Sequence, residues 1–197
     1  GRKQIRYAGR SAATASARWR PLPLQGLEEI NRWDAGSPSL TDDELEIYFH
    51  SKRPGGKGLQ DIWVATLPSP SSPWGKPRNL EEINTAGKEM APCISCDGRT
   101  LWWHDHRVGE VWRAIREDGE NAFGSSHCIG RPVNSRAWEG HFEVSRKWPS
   151  RGAEAYFVRG FGLPDIELYQ VRWNPAPRSA ADGGARERTL ESATEGD

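Results

Sequence analysis

Cysteine and histidine carry the plainest chemical potential in this sequence. Cys93-x-x-Cys96, His104-x-His106 and His127-Cys128 lie close together in the chain, and thiolates clustered with imidazoles can hold a tetrahedral zinc ion. Carboxylates come next. Asp42, Asp43, Asp61, Asp97, Asp105 and Glu110 could supply the two carboxyl groups that glycoside hydrolysis requires. Gly55-Gly56-Lys57-Gly58 superficially suggests a phosphate loop, but it lacks the Gly-x-x-x-x-Gly-Lys-Ser/Thr spacing and reads as a glycine-rich strand connection. Ser95-Cys96-Asp97-Gly98 has Asp and Gly adjacent, so it fits a hairpin turn rather than a Ser-x-Asp-x-Gly box. The chain contains no Gly-x-Ser-x-Gly nucleophile elbow.

What these residues can do depends on the elements that carry them, and the sequence repeats. Glu28-Glu29-Ile30-Asn31 recurs as Glu81-Glu82-Ile83-Asn84, and Val133-Asn134 follows as a shorter echo. From that anchor, Ser37-Pro38-Ser39-Leu40-Thr41 matches Ala91-Pro92-Cys93-Ile94-Ser95, with His141-Phe142-Glu143-Val144-Ser145 as a looser third copy. Aromatic pairs follow at Tyr48-Phe49, Trp102-Trp103 and Tyr156-Phe157. Acid–aliphatic–aromatic triplets come next at Asp61-Ile62-Trp63, Glu110-Val111-Trp112 and Glu167-Leu168-Tyr169. Trp74-Gly75 and Phe123-Gly124 close the first two units.

Each unit is predicted to be an antiparallel sheet of about four short strands. In the first unit these fall near Pro38–Thr41, at Glu46–Ser51, at Asp61–Leu67 and after Trp74-Gly75. An Asp-Gly-type turn, explicit at Asp97-Gly98, leads into the second strand. Paired aromatics put one ring on each face of the sheet, because side chains alternate along a strand. Such a sheet needs cover on both faces, and stacking the units against one another provides it. A radial stack of that kind is a β-propeller. The expected fold is therefore all-β: a partial propeller of about three four-stranded blades over residues 24–174. A basic segment, 1–23, precedes it and a disordered tail, 175–197, follows.

The pattern resembles the TolB-type, WD-like propeller repeats of bacteria. Residues 38–56, Pro-Ser-Leu-Thr-Asp-Asp-Glu-Leu-Glu-Ile-Tyr-Phe-His-Ser-Lys-Arg-Pro-Gly-Gly, followed by Asp61-Ile62-Trp63-Val64-Ala65, carry the resemblance. It covers 36–80 closely, 81–128 with a shorter loop, and 129–173 in degenerate form. It implies a propeller that binds partners rather than catalysing, in proteins that are often exported, so a periplasmic or exported location is the expectation.

Composition agrees with this reading. Ten Trp beside 21 Gly and 14 Pro suit short strands and tight turns. The 27 basic and 27 acidic residues balance, which removes the main sequence argument for a nucleic-acid partner. No stretch is long and apolar enough for a membrane span. Three cysteines make no even-numbered disulfide framework, and no cofactor is indicated. The lack of an initiator Met suggests a processed or truncated chain. Arg18-Trp19-Arg20-Pro21 resembles Trp74-Gly75-Lys76-Pro77, as if the last strand of an earlier blade came first.

The repeat alignment reassigns most of the chemistry. Cys93 stands where Ser39 does, Cys96 where Asp42 does, His104 where His50 does, and Cys128 where Asn79 does, so structural roles outweigh zinc. Asp61, Trp63, Asp97, Trp102, Trp103, Glu110, Trp112 and Glu167 are expected structural repeat positions. Arg53, Arg107 and Arg159 recur after the second strand and are expected to pair with Asp61, Glu110 and Glu167, or else to grip an anionic or peptide partner. Trp138 and Trp148, with Trp33 and Trp173, lie off the motif and are the candidate ligand-contacting tryptophans. The expected function is a non-enzymatic scaffold with a protein or small-ligand partner, or self-association through open blade edges. A propeller glycoside hydrolase, or the accessory domain of one, is the alternative.

Overall fold

The protein is described by a computed structural model covering residues 3–9, 20–22, 26–160 and 165–174. The first blade is built from β3 (Ala35–Leu40), β4 (Glu46–Ser51), β5 (Asp61–Thr66) and β6 (Arg78–Asn79), in that spatial order. The second is β7 (Glu89–Ile94), β8 (Thr100–Asp105), β9 (Glu110–Ile115) and β10 (His127–Cys128). The third contains β11 (Trp138–Val144), β12 (Glu154–Gly160) and β13 (Ile166–Arg172). All pairings are antiparallel. Ahead of the blades, β1 (Tyr7–Gly9) pairs with β2 (Arg20–Leu22), and a single helical turn, α1 (Leu27–Ile30), leads into β3. The fold is thus all-β, a stack of propeller-type blades. The tail expected after residue 174 lies outside the described residues, as does most of the basic segment.

The first strand of each blade begins earlier than Pro38 and its counterparts suggested, because a β-bulge lets pairing resume on the far side. Register shifts fall between Gly36 and Ser39, between Met90 and Cys93, and between Gly140 and Glu143. Ser37, Ala91 and His141 occupy the equivalent bulge site with φ of 47°, 48° and 49°. A left-handed backbone in a residue with a side chain is strained, and its recurrence in all three blades makes it part of the design.

The turn before the second strand is longer than a two-residue hairpin and is closed by side chains. Ser95 Oγ donates to Asp97 Oδ1 at 2.5 Å and accepts from Thr100 N at 2.9 Å; Arg99 N donates to Asp97 Oδ1 at 3.1 Å. Thr41, Asp43, Leu45 and Glu46 repeat this arrangement in the first blade, with Glu44 at φ 58° where Gly98 stands at 68°. The third blade keeps only the Ser145 bond to Glu154 N, at 3.0 Å, which explains why its repeat looked degenerate.

Burial follows the aromatic pairs. Tyr48, Ile62 and Val64 of the first blade pack on Leu101, Trp103 and Ala114 of the second. Trp102 and Val111, on the opposite face of the second blade, pack on Phe142, Phe157 and Val171 of the third. Phe49, Trp63 and Trp74 face the other way, onto Ile5 and Ile30. Fully burying one such side chain contributes about 1.5–3 kcal/mol, so these shared cores dominate the cohesion of the stack. The outer face of the third blade differs from expectation. Tyr156, the partner of buried Phe157, is exposed there beside Leu168, which is 73% exposed.

Candidate functional site

Three segments that lead into first strands, and the connections between second and third strands, meet at one end of the stack. Polar and ionisable groups concentrate there. Asn84 starts the pattern: its Oδ1 accepts from Ile62 N at 2.9 Å and its Nδ2 donates to Ile62 O at 2.8 Å. Asn134 binds Val111 in the same way at 2.9 and 2.9 Å, and Asn31 binds Ile5 at 2.8 and 2.7 Å. Asn84 and Asn134 fasten the third strand of the preceding blade to the entry of the next, and Asn31 fastens the segment before β1 to the entry of the first blade. Ile5, just before β1, therefore stands where Ile62 and Val111 stand.

Asp61 organises the glycine-rich connection. It accepts from Lys57 N at 2.5 Å, Gly58 N at 2.9 Å and Asn79 Nδ2 at 2.7 Å. A Cβ on Gly56 would come 2.6 Å from Asp61 Oδ2, so the glycine there makes room for the carboxylate. Arg53 is not its partner. Arg53 is buried, donates to Ile30 O at 2.6 Å and to Ser51 Oγ at 3.2 Å, and lies 4.7 Å from the Phe49 ring and 5.1 Å from the Trp63 ring. Burial lowers its pKa to about 10, which leaves it charged at neutral pH.

Arg159 does the same work two positions earlier in its repeat. It donates to Val133 O at 2.9 Å and Pro132 O at 2.7 Å, and it pairs with Glu139 at 3.1 Å rather than with Glu167. Glu167 instead accepts from Tyr169 Oη. Arg107 is the exception: its side chain is 73% exposed, 3.9 Å from Asp105, and it does not pair with Glu110. The expected arginine–triplet pairing is corrected in all three units: carbonyls of the entry segments lie closer to Arg53 and Arg159, and Asp105 lies closer to Arg107.

Two further acids escaped the sequence reading. Glu89 opens β7, Glu139 is the second residue of β11, and both are fully buried. Thr85 gives Glu89 its hydroxyl at 2.5 Å and its N–H at 3.2 Å, and Ser135 Oγ donates to Glu139 Oε1. Burial, with Asp105 and Asp61 nearby, raises the Glu89 pKa against the lowering effect of the Thr85 bonds. The signal was present as Asn-(Thr/Ser)-x-x-x-Glu at 84–89 and 134–139. The first unit has Asn31 but only Ala35 at the matching strand position.

The cysteines and histidines separate. Cys93 lies in the core between the second and third blades, where burial pushes its thiol pKa well up. Asn134 Nδ2 donates to Cys128 Sγ at 3.0 Å, just as Asn84 Nδ2 donates to Asn79 Oδ1 at 3.0 Å, so Cys128 fills a structural repeat position. Trp138 covers His104 at 4.5 Å between ring centroids and reaches His106 at 6.5 Å. Among the described residues no group of three His, Cys, Asp or Glu is arranged to hold a metal.

The remaining expected positions fall as follows. Trp148 packs edge-on to Trp102 at 5.0 Å and against Trp173 at 4.8 Å, beside a slot of about 20 Å³ that admits one water. Trp173 is buried; Trp33 is exposed. Trp63, Trp102 and Trp103 are core residues, Trp112 packs at the edge of one core, Asp97 closes its turn, and Glu110 lies opposite Asp105 across the β8–β9 ladder. No described helix is long and apolar enough to cross a membrane.

No family model matches the sequence, and no curated protein matches it. Solved structures do resemble the fold. TolB from Agrobacterium tumefaciens aligns over 85% of this chain and 56% of its own, at 15% identity and TM-score 0.52. An α-L-arabinofuranosidase from Lactobacillus brevis aligns over 79% and 57%, at 13% identity and TM-score 0.52. TolB from Acinetobacter baumannii aligns over 86% and 38%, at 12% identity and TM-score 0.50. The chain spans roughly 38–57% of these structures. At such identities the likeness concerns the fold: this chain has a partial β-propeller architecture similar to that of TolB proteins and of a glycosidase.

Proposed function

We propose that this chain is a non-enzymatic β-propeller scaffold that binds a protein or small-ligand partner. One observation carries the reading: the buried carboxylates at the polar end are committed to structural bonds. Asp61 holds a loop, Glu89 is bonded by Thr85, and Glu139 is bonded through Oε1 by Arg159 and Ser135, with Oε2 buried and unpartnered. A glycosidase needs two carboxyls facing one cleft, roughly 5–9.5 Å apart. Exposed Arg107 and half-buried Trp138 beside His106 offer instead the cationic and aromatic side chains on which partner binding concentrates. Exposed Leu168 and Ile166 on β13 add an apolar strand suited to self-association.

Membership of the TolB-type, WD-like repeat class, an exported location, and the assignment of 24–174 to the repeats belong to the same proposal. The repeat pattern and the three Asn contacts support the repeat assignment; the exported location rests on the family resemblance alone. Hydrolysis is the second reading, favoured by the fold likeness to the arabinofuranosidase. The test is incubation of the full chain with arabinan, xylan and chromogenic arabinosides. The expected result is no sugar release. Turnover that Glu89→Gln or Glu139→Gln abolishes would overturn the proposal.

A further inference from the structure

The first blade departs from the other two at one place, and a cleft opens there. Ala35 and Ser51 face each other where the second blade has Glu89 and Asp105 and the third has Glu139 and Arg159. The next ladder position pairs Gly36 with His50, against Met90 with His104. Ala35 thus replaces an acid found in both other blades, and Gly36 replaces the bulky Met90 of the second, the third having Gly140 there. The space left is a polar cleft of about 130 Å³, lined by Lys3, Asp34, Ala35, Gly36, His50, Lys52, Gln60 and Met90.

Its charge is the reverse of the neighbouring blade's. The repeat carboxylate is missing, while two ammonium groups, Lys3 and Lys52, border the cleft. Lys52 has no ion-pair or hydrogen-bond partner among the described residues, and Lys3 uses only its backbone: its N–H donates to Asp34 Oδ1 at 3.1 Å and its carbonyl accepts from Ala35 N at 3.2 Å. His50 forms the floor. Its Nδ1 accepts from Ala91 N at 3.4 Å, which places the ring proton on Nε2, and Nε2 is buried without a partner. In the second blade Trp138 covers the equivalent His104; the residue matching Trp138 one blade earlier is Lys88, so no indole closes the space over His50. A buried donor left unsatisfied is costly, and an exception beside an open polar cleft is explained by an ion or water that completes the bonding.

We propose that this cleft binds the oxyanion of a small anionic ligand, a carboxylate or phosphate group. The Lys3 and Lys52 ammonium groups supply the charge and the His50 Nε2–H lies beneath them as a neutral donor. Asp34 stands at the rim and disfavours ligands of high negative charge. The inference rests on the scaffold reading, since it names the ligand class for that same end of the blades.

The experiment is a two-dimensional amide NMR titration of the full chain with inorganic phosphate and, separately, with acetate, at constant ionic strength set by chloride. Saturable shifts are expected at Ala35, Gly36 and Lys52 in the wild type and in Lys76→Met, a charge-matched control on an exposed lysine. They are expected to weaken at least tenfold in Lys52→Met and to diminish in His50→Gln. Saturation by phosphate alone assigns a phosphate ligand; saturation by acetate alone assigns a carboxylate. No saturable shift with either ion, or shifts unchanged in Lys52→Met, overturns the site. Sugar hydrolysis is read separately, so a failed titration leaves the scaffold reading standing.

Discussion

Asn84 satisfies both backbone hydrogen-bonding groups of Ile62, taking its N–H at 2.9 Å and giving to its carbonyl at 2.8 Å. The two residues belong to consecutive blades and both are buried. The bonds therefore fix how one blade sits on the next, and Asn134 with Val111 and Asn31 with Ile5 repeat them. Asn84→Ala leaves the buried N–H of Ile62 without a partner, while its carbonyl keeps the bond from Leu80 N at 3.2 Å. An expected loss of about 1–3 kcal/mol in urea unfolding follows from that one stranded donor.

Arg116 and Glu46 join the first and second blades at the opposite end, 2.6 Å apart and both largely buried. Arg116 also donates to Gly98 O at 2.6 Å and lies 5.3 Å from the Phe123 ring. Removing one partner leaves a desolvated charge, whereas removing both does not. A double-mutant cycle of Glu46→Ala and Arg116→Ala is expected to give a coupling of about 1–2 kcal/mol.

The recurring arginines should part company in stability measurements. Arg53→Ala removes two buried hydrogen bonds and the contact with Phe49 and Trp63, for an expected cost of about 2–4 kcal/mol. Arg107→Ala touches an exposed side chain and is expected to change stability by less than about 0.5 kcal/mol. Equal effects in thermal or urea unfolding would contradict the assignment.

Acid should weaken the fold through two histidines. Burial lowers both His50 and His104 from 6.5 to about 4. The unfolded chain takes up these protons near pH 6.5, while the native protein does so only near pH 4. Stability is therefore greatest above the unfolded value, falls as pH drops through the window, and levels off below it. Between pH 7 and pH 5 the expected loss is about 2 kcal/mol per histidine. Glu89, with a raised pKa, acts in the opposite sense, losing its contribution as pH rises. His104→Gln should flatten the profile measured by urea unfolding at the two pH values.

The blades were legible because their packing demands recur in sequence. Tyr48-Phe49 and Trp102-Trp103 show that both faces of a strand are buried, and Glu46–Ser51 was bounded correctly by its pattern alone. The Asn anchor was visible as a repeat, but its role was not, because two backbone bonds to a strand in another blade leave no local trace. Arg53 and Arg159 misled for the same reason: their partners are backbone carbonyls, which every residue has. The cleft at Ala35 and Gly36 is visible only as a departure from the acid at the start of β7 and β11. Comparing the repeats for what the first one lacks is what reveals it.

The scaffold reading turns on whether the buried acids hold structure or await substrate. Catalytic groups are commonly held at some cost in stability, so replacing one tends to be neutral or stabilising. A buried structural ion pair behaves differently, because removing one member strands the other. Equilibrium urea unfolding of Glu139→Gln, beside wild type, separates these cases most directly. The expected result is a loss of about 2–4 kcal/mol, from stranding Arg159 and weakening its bonds to the entry segment. A Glu139→Gln protein as stable as wild type, or more stable, would contradict it.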